Sequence, residues 1–348
     1  MEKKRQRLYG FDFVRVICTL GIFMFHFAVE SGSTFYGFYR HANGGWGGIF
    51  NSMFFILSGA MIYYNNDDVK NLGRFYLKRW LAIFPAFYLA WLYFYIKNVR
   101  ALGSLFYMGN RKSLLLTLFA QDGYLGFLGP NYYLVGEWFL GAIVIIYLLY
   151  PLLVKIFNKF PLITTAVLCA GWIWVYNTDI FPMLPPQNLI TCLFAFELGM
   201  LIMRFREKLL NNKWVFFASA FVTLLLLFIQ IPLEENMTGL VMGFFATIAL
   251  YNAGKLIMTG TIKPESSGKV KNNILNKTII FLSGLSYPFF LLHHQLIVKY
   301  MHYWDVTKLG GMIGGMAATM AIILAGAWIL NLASKALCKL IKKVIIKS

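Results

Sequence analysis

Residues 10–30 read GFDFVRVICTLGIFMFHFAVE, an apolar run that carries Asp12, Arg15 and His26 and ends on Glu30. A bilayer core of about 30 Å asks for a run of this length in a helix that rises ~1.5 Å per residue. Ionisable groups inside such a run are expensive to hold in lipid, so each needs a partner or a function. At ~100° per residue, the step from Arg15 to His26 overshoots three turns by only about 20°. Both therefore project from one face, roughly 16 Å apart along the axis. Asp12 stands one turn before Arg15, where it can pair with the guanidinium. The stretch opens on a basic tail as a signal peptide does, but its internal charges and the lack of a small-residue cleavage site make it a retained first span.

Outward from this stretch the pattern repeats. Of 348 residues, 59% are hydrophobic and 13% charged, and the mean hydropathy is +0.63. So few charges cannot cover a water-soluble surface, which excludes soluble Rossmann or barrel enzymes, disordered chains and disulfide scaffolds. We expect an all-α polytopic membrane protein, a single integral-membrane domain over 1–348 with about ten transmembrane helices. They fall at about 11–30, 46–64, 80–98, 133–154, 161–177, 188–203, 214–231, 238–258, 278–298 and 310–333. The net charge of +18 is distributed as a topology signal: 24 of the 32 lysines and arginines fall on the side of the N-terminus, 7 on the other, and Arg15 within the first span. The positive-inside rule then places both termini in the cytoplasm. Membrane lipids with anionic headgroups, not nucleic acid, are the expected partners of that charge.

Two connections stand out. Residues 259–277 form a polar, lysine-rich linker expected to be cytoplasmic and flexible. Residues 99–132, on the outer side, are glycine-rich around a short apolar run from Leu114 to Ala120. That segment is either partly re-entrant over a cavity or a surface loop with one interfacial helix. Cys18, Cys169, Cys192 and Cys338 show no CxxC or Cys/His ligand spacing, so neither a disulfide nor a metal site is expected.

The ninth segment, TIIFLSGLSYPFFLLHHQLIVKY (278–300), reaches the depth of the first from another direction. His26 and His293 both lie about 22 Å beyond the inner starts of their segments, which a shared polar site requires. Pro288 removes a backbone hydrogen bond and frees the Gly284 carbonyl or kinks the helix there. His294 points about 100° away from His293, so one of the pair is expected at the site and the other in packing.

Five blocks in order, DFVRVICTLGIFMFHF, SMFFILSGAMIYY, RFYLKRWLAIFPAFY, WFLGAIVIIYLLYPLL and GLSYPFFLLHH, together resemble the integral-membrane acyltransferase family 3. That group contains bacterial O-acetyltransferases of surface polysaccharides. The resemblance implies a multi-pass enzyme of the bacterial plasma membrane that takes an acyl group, usually acetyl, from cytoplasmic acyl-CoA and delivers it to a glycan hydroxyl outside. It departs from the family pattern twice. Arg79 fills the first of two arginine positions in the third block and Ala82 the second, and the acid of the fourth block, Glu137, precedes Trp138 instead of following it.

The chemistry can be stated from the residues as well. A CoA thioester carries several phosphate charges and needs a cationic inner mouth, for which Arg15, Arg79 and Lys78 are the candidates, with Arg74 a topology-setting charge. A sugar hydroxyl needs a base, and a neutral imidazole suits that role near pH 7. His26, sharing a face with Arg15, is the expected base, with His293 beside it. Direct transfer and an acyl-imidazole relay both remain open. Asp12, Glu137, Glu197, His294, Tyr287 and Ser58 are the further lining candidates. No permanently bound cofactor is expected; acetyl-CoA is the donor substrate, and a cell-surface polysaccharide or lipid-linked glycan the acceptor. The competing readings are a transporter or flippase of glycan precursors, against which stands the lack of a counterpart to the Pro288 interruption, and an inactive scaffold in which the histidines are dispensable.

Overall fold

The computed structural model describes residues 6–262 and 270–347. The centre of the 259–277 linker, residues 263–269, lies outside the described residues. The helices are α1 (Tyr9–Glu30), α2 (Trp46–Asn65), α3 (Leu72–Leu102), the short α4 (Leu114–Leu118), α5 (Glu137–Lys159), α6 (Pro161–Tyr176), α7 (Leu189–Arg204), the short α8 (Arg206–Leu209), α9 (Lys213–Phe228), α10 (Glu235–Thr259), α11 (Ile274–Tyr300) and α12 (Leu309–Lys347). A two-residue antiparallel pair, β1 (Arg40–His41) and β2 (Gly44–Gly45), turns the chain from α1 into α2.

Each of the ten apolar segments falls on a helix, but among the described residues only seven helices are long and apolar enough to cross a membrane: α1, α2, α3, α5, α10, α11 and α12. Helices α6, α7 and α9 have 16 residues each, about 24 Å against a hydrocarbon core of about 30 Å. An apolar window counts residues that continue past a helix end, as 214–231 does beyond Phe228, whereas a span needs helical length.

Helix α1 is the axis of the bundle, with α2, α10 and α11 around it. Helix α2 packs most extensively on α7, and α11 on α12, which also meets α3. Small residues set the closest crossing: a Cβ on Gly59 would lie 1.8 Å from the Phe196 carbonyl oxygen, and one on Gly199 would lie 1.9 Å from that of Ile56. At the periphery the polarity inverts. Trp214, Phe217, Phe221, Leu224 and Phe228 of α9 are exposed, and only Ser219 and Leu226 of that helix are buried. An exposed apolar stripe of this kind suits contact with lipid.

The connections gather at two ends. At one, Asn43 donates to the carbonyls of Leu226 and Ile229, and Arg40 pairs with Glu235 at 2.8 Å. At the other, the Tyr150 hydroxyl donates to the Asn66 carbonyl, the Asn158 amide to that of Asp67, and Lys255 to Asn211. We call these the histidine end and the basic end, after the groups described below.

Residues 104–136, at the histidine end, form short helical turns instead of a span. Trp91 donates to the Tyr132 carbonyl, Tyr88 to that of Leu118, and Tyr132 to that of Gly109, tying the segment to α3 and to itself. Leu115, Leu118, Phe119 and Leu128 remain exposed, the surface of an interfacial segment. Asp122 is buried within it and accepts from Thr117, and burial pushes its carboxyl up to about 6.

Gly59→Ala and Gly199→Ala should each destabilise the protein by about 1–3 kcal/mol or more through overpacking of backbone against backbone. Gly310, with nothing within 4 Å of its Cβ direction, should tolerate Ala. Thermal unfolding in detergent compares the three.

Candidate functional site

The site is built where α1 meets α11. Asp12 is buried among apolar residues of α1 and takes two hydrogen bonds from Arg7, at 2.7 and 3.0 Å. Ser283 of α11 donates to Asp12 at 2.7 Å and accepts from Arg15 at 3.0 Å. The direct Arg15–Asp12 separation is 3.5 Å. The expected Arg15–Asp12 pair is present, and Arg7 adds a two-pronged contact while Ser283 bridges to Arg15, because a carboxylate with several lone pairs is best satisfied by more than one donor when buried.

From Arg15, α1 climbs about 16 Å to His26. The ring of His26 lies 5.2 Å from that of His293 and 5.5 Å from that of His294. The expectation that one of the two would turn away is corrected. Side chains 100° apart flank the direction between them, and the His26 ring sits there and meets both. Pro288 lies inside α11 without ending it.

The two α11 histidines are held differently. His293 is fully buried, and its Nδ1 lies 2.6 Å from the Phe290 carbonyl oxygen. A carbonyl only accepts, so Nδ1 carries the proton and Nε2 keeps a lone pair. That Nε2 is buried and has no partner among the described residues. His294 is bridged by two acids: Nε2 lies 3.0 Å from Glu30 and Nδ1 3.4 Å from Glu137. Tyr133 meets Glu137 with its hydroxyl. Glu137 itself adopts φ 45° directly after Gly136 at φ 96°. A non-glycine residue in the left-handed region costs of order 1–3 kcal/mol and recurs at functional sites.

His26, Glu30 and His294 offer ligand atoms that all lie within 4.8 Å of one another. A divalent cation could take such a trio with an open coordination position, although the 3.0 Å His294–Glu30 contact would have to open.

Toward the basic end a second polar group gathers on the inward faces of α2, α3 and α5. The Tyr147 hydroxyl meets Ser58 and Arg79, with Arg15 close enough to act on it electrostatically. The Arg79 guanidinium lies 6.0 Å from the rings of Phe75 and Tyr147. Its Nε is buried without a partner among the described residues. Tyr287 donates to the Ile83 carbonyl at 3.0 Å, beside this group. Lys78 and Arg74 are exposed. Glu197 stands apart: it is fully buried and accepts from Thr165 of α6 at 2.6 Å.

Thus Arg15, Arg79, Ser58 and Tyr287 share one neighbourhood, and His26, His293, His294 and Glu137 another. Sequence reasoning missed Glu30, one turn beyond His26 and so legible by spacing. It also missed Ser283, Tyr133 and Tyr147, which carry no local signal.

A model of the acyltransferase domain matches residues 8–332. The chain belongs to acyltransferase family 3. Neither the curated proteins nor the solved structures contain a significant match. Family membership makes this a membrane acyltransferase and sets aside the transporter reading. The proline argument against that reading does not stand, since α3 and α5 also contain internal prolines, Pro85 and Pro151.

In this acyltransferase, Asp12→Ala would leave Arg7 and Arg15 facing each other without their shared acid. Breaking a buried charge network by removing one partner costs about 3–5 kcal/mol. Asp12→Ala should therefore accumulate poorly in membranes, whereas Arg7→Ala, which leaves Ser283 and Arg15 on the carboxylate, should be milder. Quantitative immunoblotting of membrane fractions measures both.

Proposed function

We propose that the acyltransferase moves an acetyl group from acetyl-CoA, entering at the basic end from the cytoplasm, to a hydroxyl of a cell-surface glycan or its lipid-linked precursor at the histidine end. Both termini face the cytoplasm of a bacterial plasma membrane in this reading. The carrying observation is the triple-histidine cluster, with its carboxylates, standing about 16 Å along one face of α1 from Arg15, which with Arg79 is half-buried. The donor's charged nucleotide stays near the basic end, where Arg15 and Arg79 offer guanidinium donors suited to phosphate or to the polar arm. The thioester reaches inward along the face that leads from Arg15 to His26.

In the transfer step His26 takes the proton of the acceptor hydroxyl as its oxygen attacks the thioester carbonyl. The C–S bond then breaks, and the proton passes from His26 to the leaving sulfur, giving the ester and CoA thiol. His293, its tautomer held by Phe290, keeps an unpaired Nε2 within the same cluster. His294, held between Glu30 and Glu137, orients the cluster.

His26→Gln should lower acetyl transfer at least about a hundredfold, because an amide cannot take a proton near neutral pH. The rate is measured with radiolabelled acetyl-CoA on purified, folded protein, and EDTA should leave the wild-type rate unchanged. Near-normal activity in His26→Gln would remove His26 as base, and loss of activity in EDTA would favour the cation reading of the same trio.

Arg79→Gln should raise KM for acetyl-CoA about ten- to a hundredfold, the equivalent of one charge-assisted contact. An unchanged KM would remove Arg79 from the donor path. For orientation, a single cysteine placed at Asn272 in a cysteine-free background should react with an impermeant reagent only after the membrane is opened. Labelling from outside intact cells would reverse the donor side.

A further inference from the structure

At the basic end α3 begins and α12 finishes, and the two are tied where the Cys338 thiol donates to the Leu81 carbonyl at 3.4 Å. Counted from that contact at ~1.5 Å per residue, Lys78 and Arg74 lie about 4.5 and 10.5 Å further toward the basic end on α3. On α12, Lys339, Lys342 and Lys343 lie about 1.5, 6 and 7.5 Å further, and Lys335 about 4.5 Å the other way. All six side chains are exposed. The two helices thus carry their cations in one band about 15 Å deep.

The band is one-sided. At ~100° per residue the four α12 lysines fall within an arc of about 100°, and Cys338 borders that arc about 40° from Lys342, so the stripe runs beside the seam with α3. Leu340 and Val344 stand outside the arc and are exposed, as are Leu77 and Trp80 on α3. Exposed apolar side chains beside lysines suit a headgroup region, where the lysine stem lies against apolar groups and its ammonium reaches the phosphates.

The charge is also single-signed. Neither α3, α11 nor α12 contains an aspartate or glutamate, and Lys78, Lys335, Lys339, Lys342 and Lys343 form no ion pair among the described residues. The side of the basic end built from the ends of α2 and α7 is mixed: Lys70 pairs with Asp68 at 3.9 Å and Arg206 with Glu207 at 3.4 Å. Orientation in the membrane is set by lysine and arginine with little regard to nearby acids, so it does not account for this difference. An acid-free band attracts net negative charge at short range, and it offers no carboxylate to the ammonium of a zwitterionic headgroup.

We propose that the α3–α12 flank binds anionic phospholipid headgroups, phosphodiesters without a compensating ammonium, in preference to zwitterionic ones. The charge of the whole chain pointed to anionic lipid in general, and the fold concentrates that affinity on one flank. The surface is separate from the acyl-transfer chemistry and holds whichever substrates the enzyme uses.

The test uses the full-length enzyme reconstituted in phosphatidylcholine vesicles with a minor fraction of spin-labelled phosphatidylglycerol or, in parallel, spin-labelled phosphatidylcholine. Electron paramagnetic resonance of the immobilised label gives the preference of the protein surface for one lipid over the other. The wild type should prefer phosphatidylglycerol about two- to fivefold, up to the worth of one lysine near an anionic surface, and the preference should shrink at high salt. Combining Lys335→Gln, Lys339→Gln, Lys342→Gln and Lys343→Gln should bring it near one, whereas arginine at the same four positions should keep it. Lys208→Gln with Lys213→Gln, on the mixed side, should leave it unchanged, and KM for acetyl-CoA should be the same in every variant. No preference in the wild type, or one that salt does not reduce, would overturn the proposal even if the glutamine variant failed to fold. So would a glutamine variant with the wild-type preference, or an equal loss in the Lys208 and Lys213 variant. A raised KM for acetyl-CoA with the lipid preference intact would also overturn it and give the band to the donor's phosphates.

Discussion

A carboxylate and a guanidinium placed inside an apolar helix need partners beyond its apolar side chains, and this requirement at Asp12 and Arg15, met in part by Arg7 just before α1, organises the molecule. Ser283 meets it by donating to Asp12 and accepting from Arg15. The bond fixes α1 and α11 side by side and in register, since Ser283 follows Arg15 by 268 residues and His294 contacts His26 across the same offset. Two parallel helices of equal rise, pinned at one level, stay aligned at the next. The polar lock near the basic end therefore delivers His26 to His293 and His294 three turns higher. A slip of one residue in either helix would turn its histidines by about 100° and dissolve the cluster.

Around that pair the other helices divide two tasks. The contact of α2 with α7 through Gly59 and Gly199 draws backbones together, bringing Thr191 and Cys192 of α7 to a cavity that Phe25 also lines. Helices α3 and α5 instead bring Arg79 and Tyr147 against Ser58. Arg79 stands on the α3 and α5 side toward the basic end, whereas at the histidine end Glu30 and Glu137 flank His294.

Much of this was legible in the sequence where the signal was periodic. The step from Arg15 to His26, the equal depth of His293, and the apolar runs all follow from helical geometry and the cost of charge in lipid. What failed were judgements needing the third dimension. His294 looked turned away because a helical wheel shows directions from one axis and not the position of a ring standing between two of them. Glu197 was a candidate because burial in a span is visible in sequence, whereas its Thr165 partner on α6 is not. Three of the ten expected spans are helices of only 16 residues, a length that hydropathy does not read because it measures composition.

Glu137 shows how the pieces depend on one another. Its backbone is held in the left-handed region, where a side chain with a Cβ sits only when its surroundings impose it. Those surroundings are visible. Gly123 of the interfacial segment lies so close that a Cβ there would stand 2.8 Å from the Glu137 carbonyl carbon, and Tyr124 presses on Gly141 one turn later. The segment at 104–136 thus clamps the start of α5, and the clamp is what turns the Glu137 carboxylate toward His294 at 3.4 Å. An acid one position before Trp138 departs from the family spacing, and the left-handed turn at Gly136–Glu137 is how this chain brings a carboxylate to the histidines from that position. The interfacial segment is then part of the site's architecture: loosening it would release the strain at Glu137 first and the orientation of His294 with it.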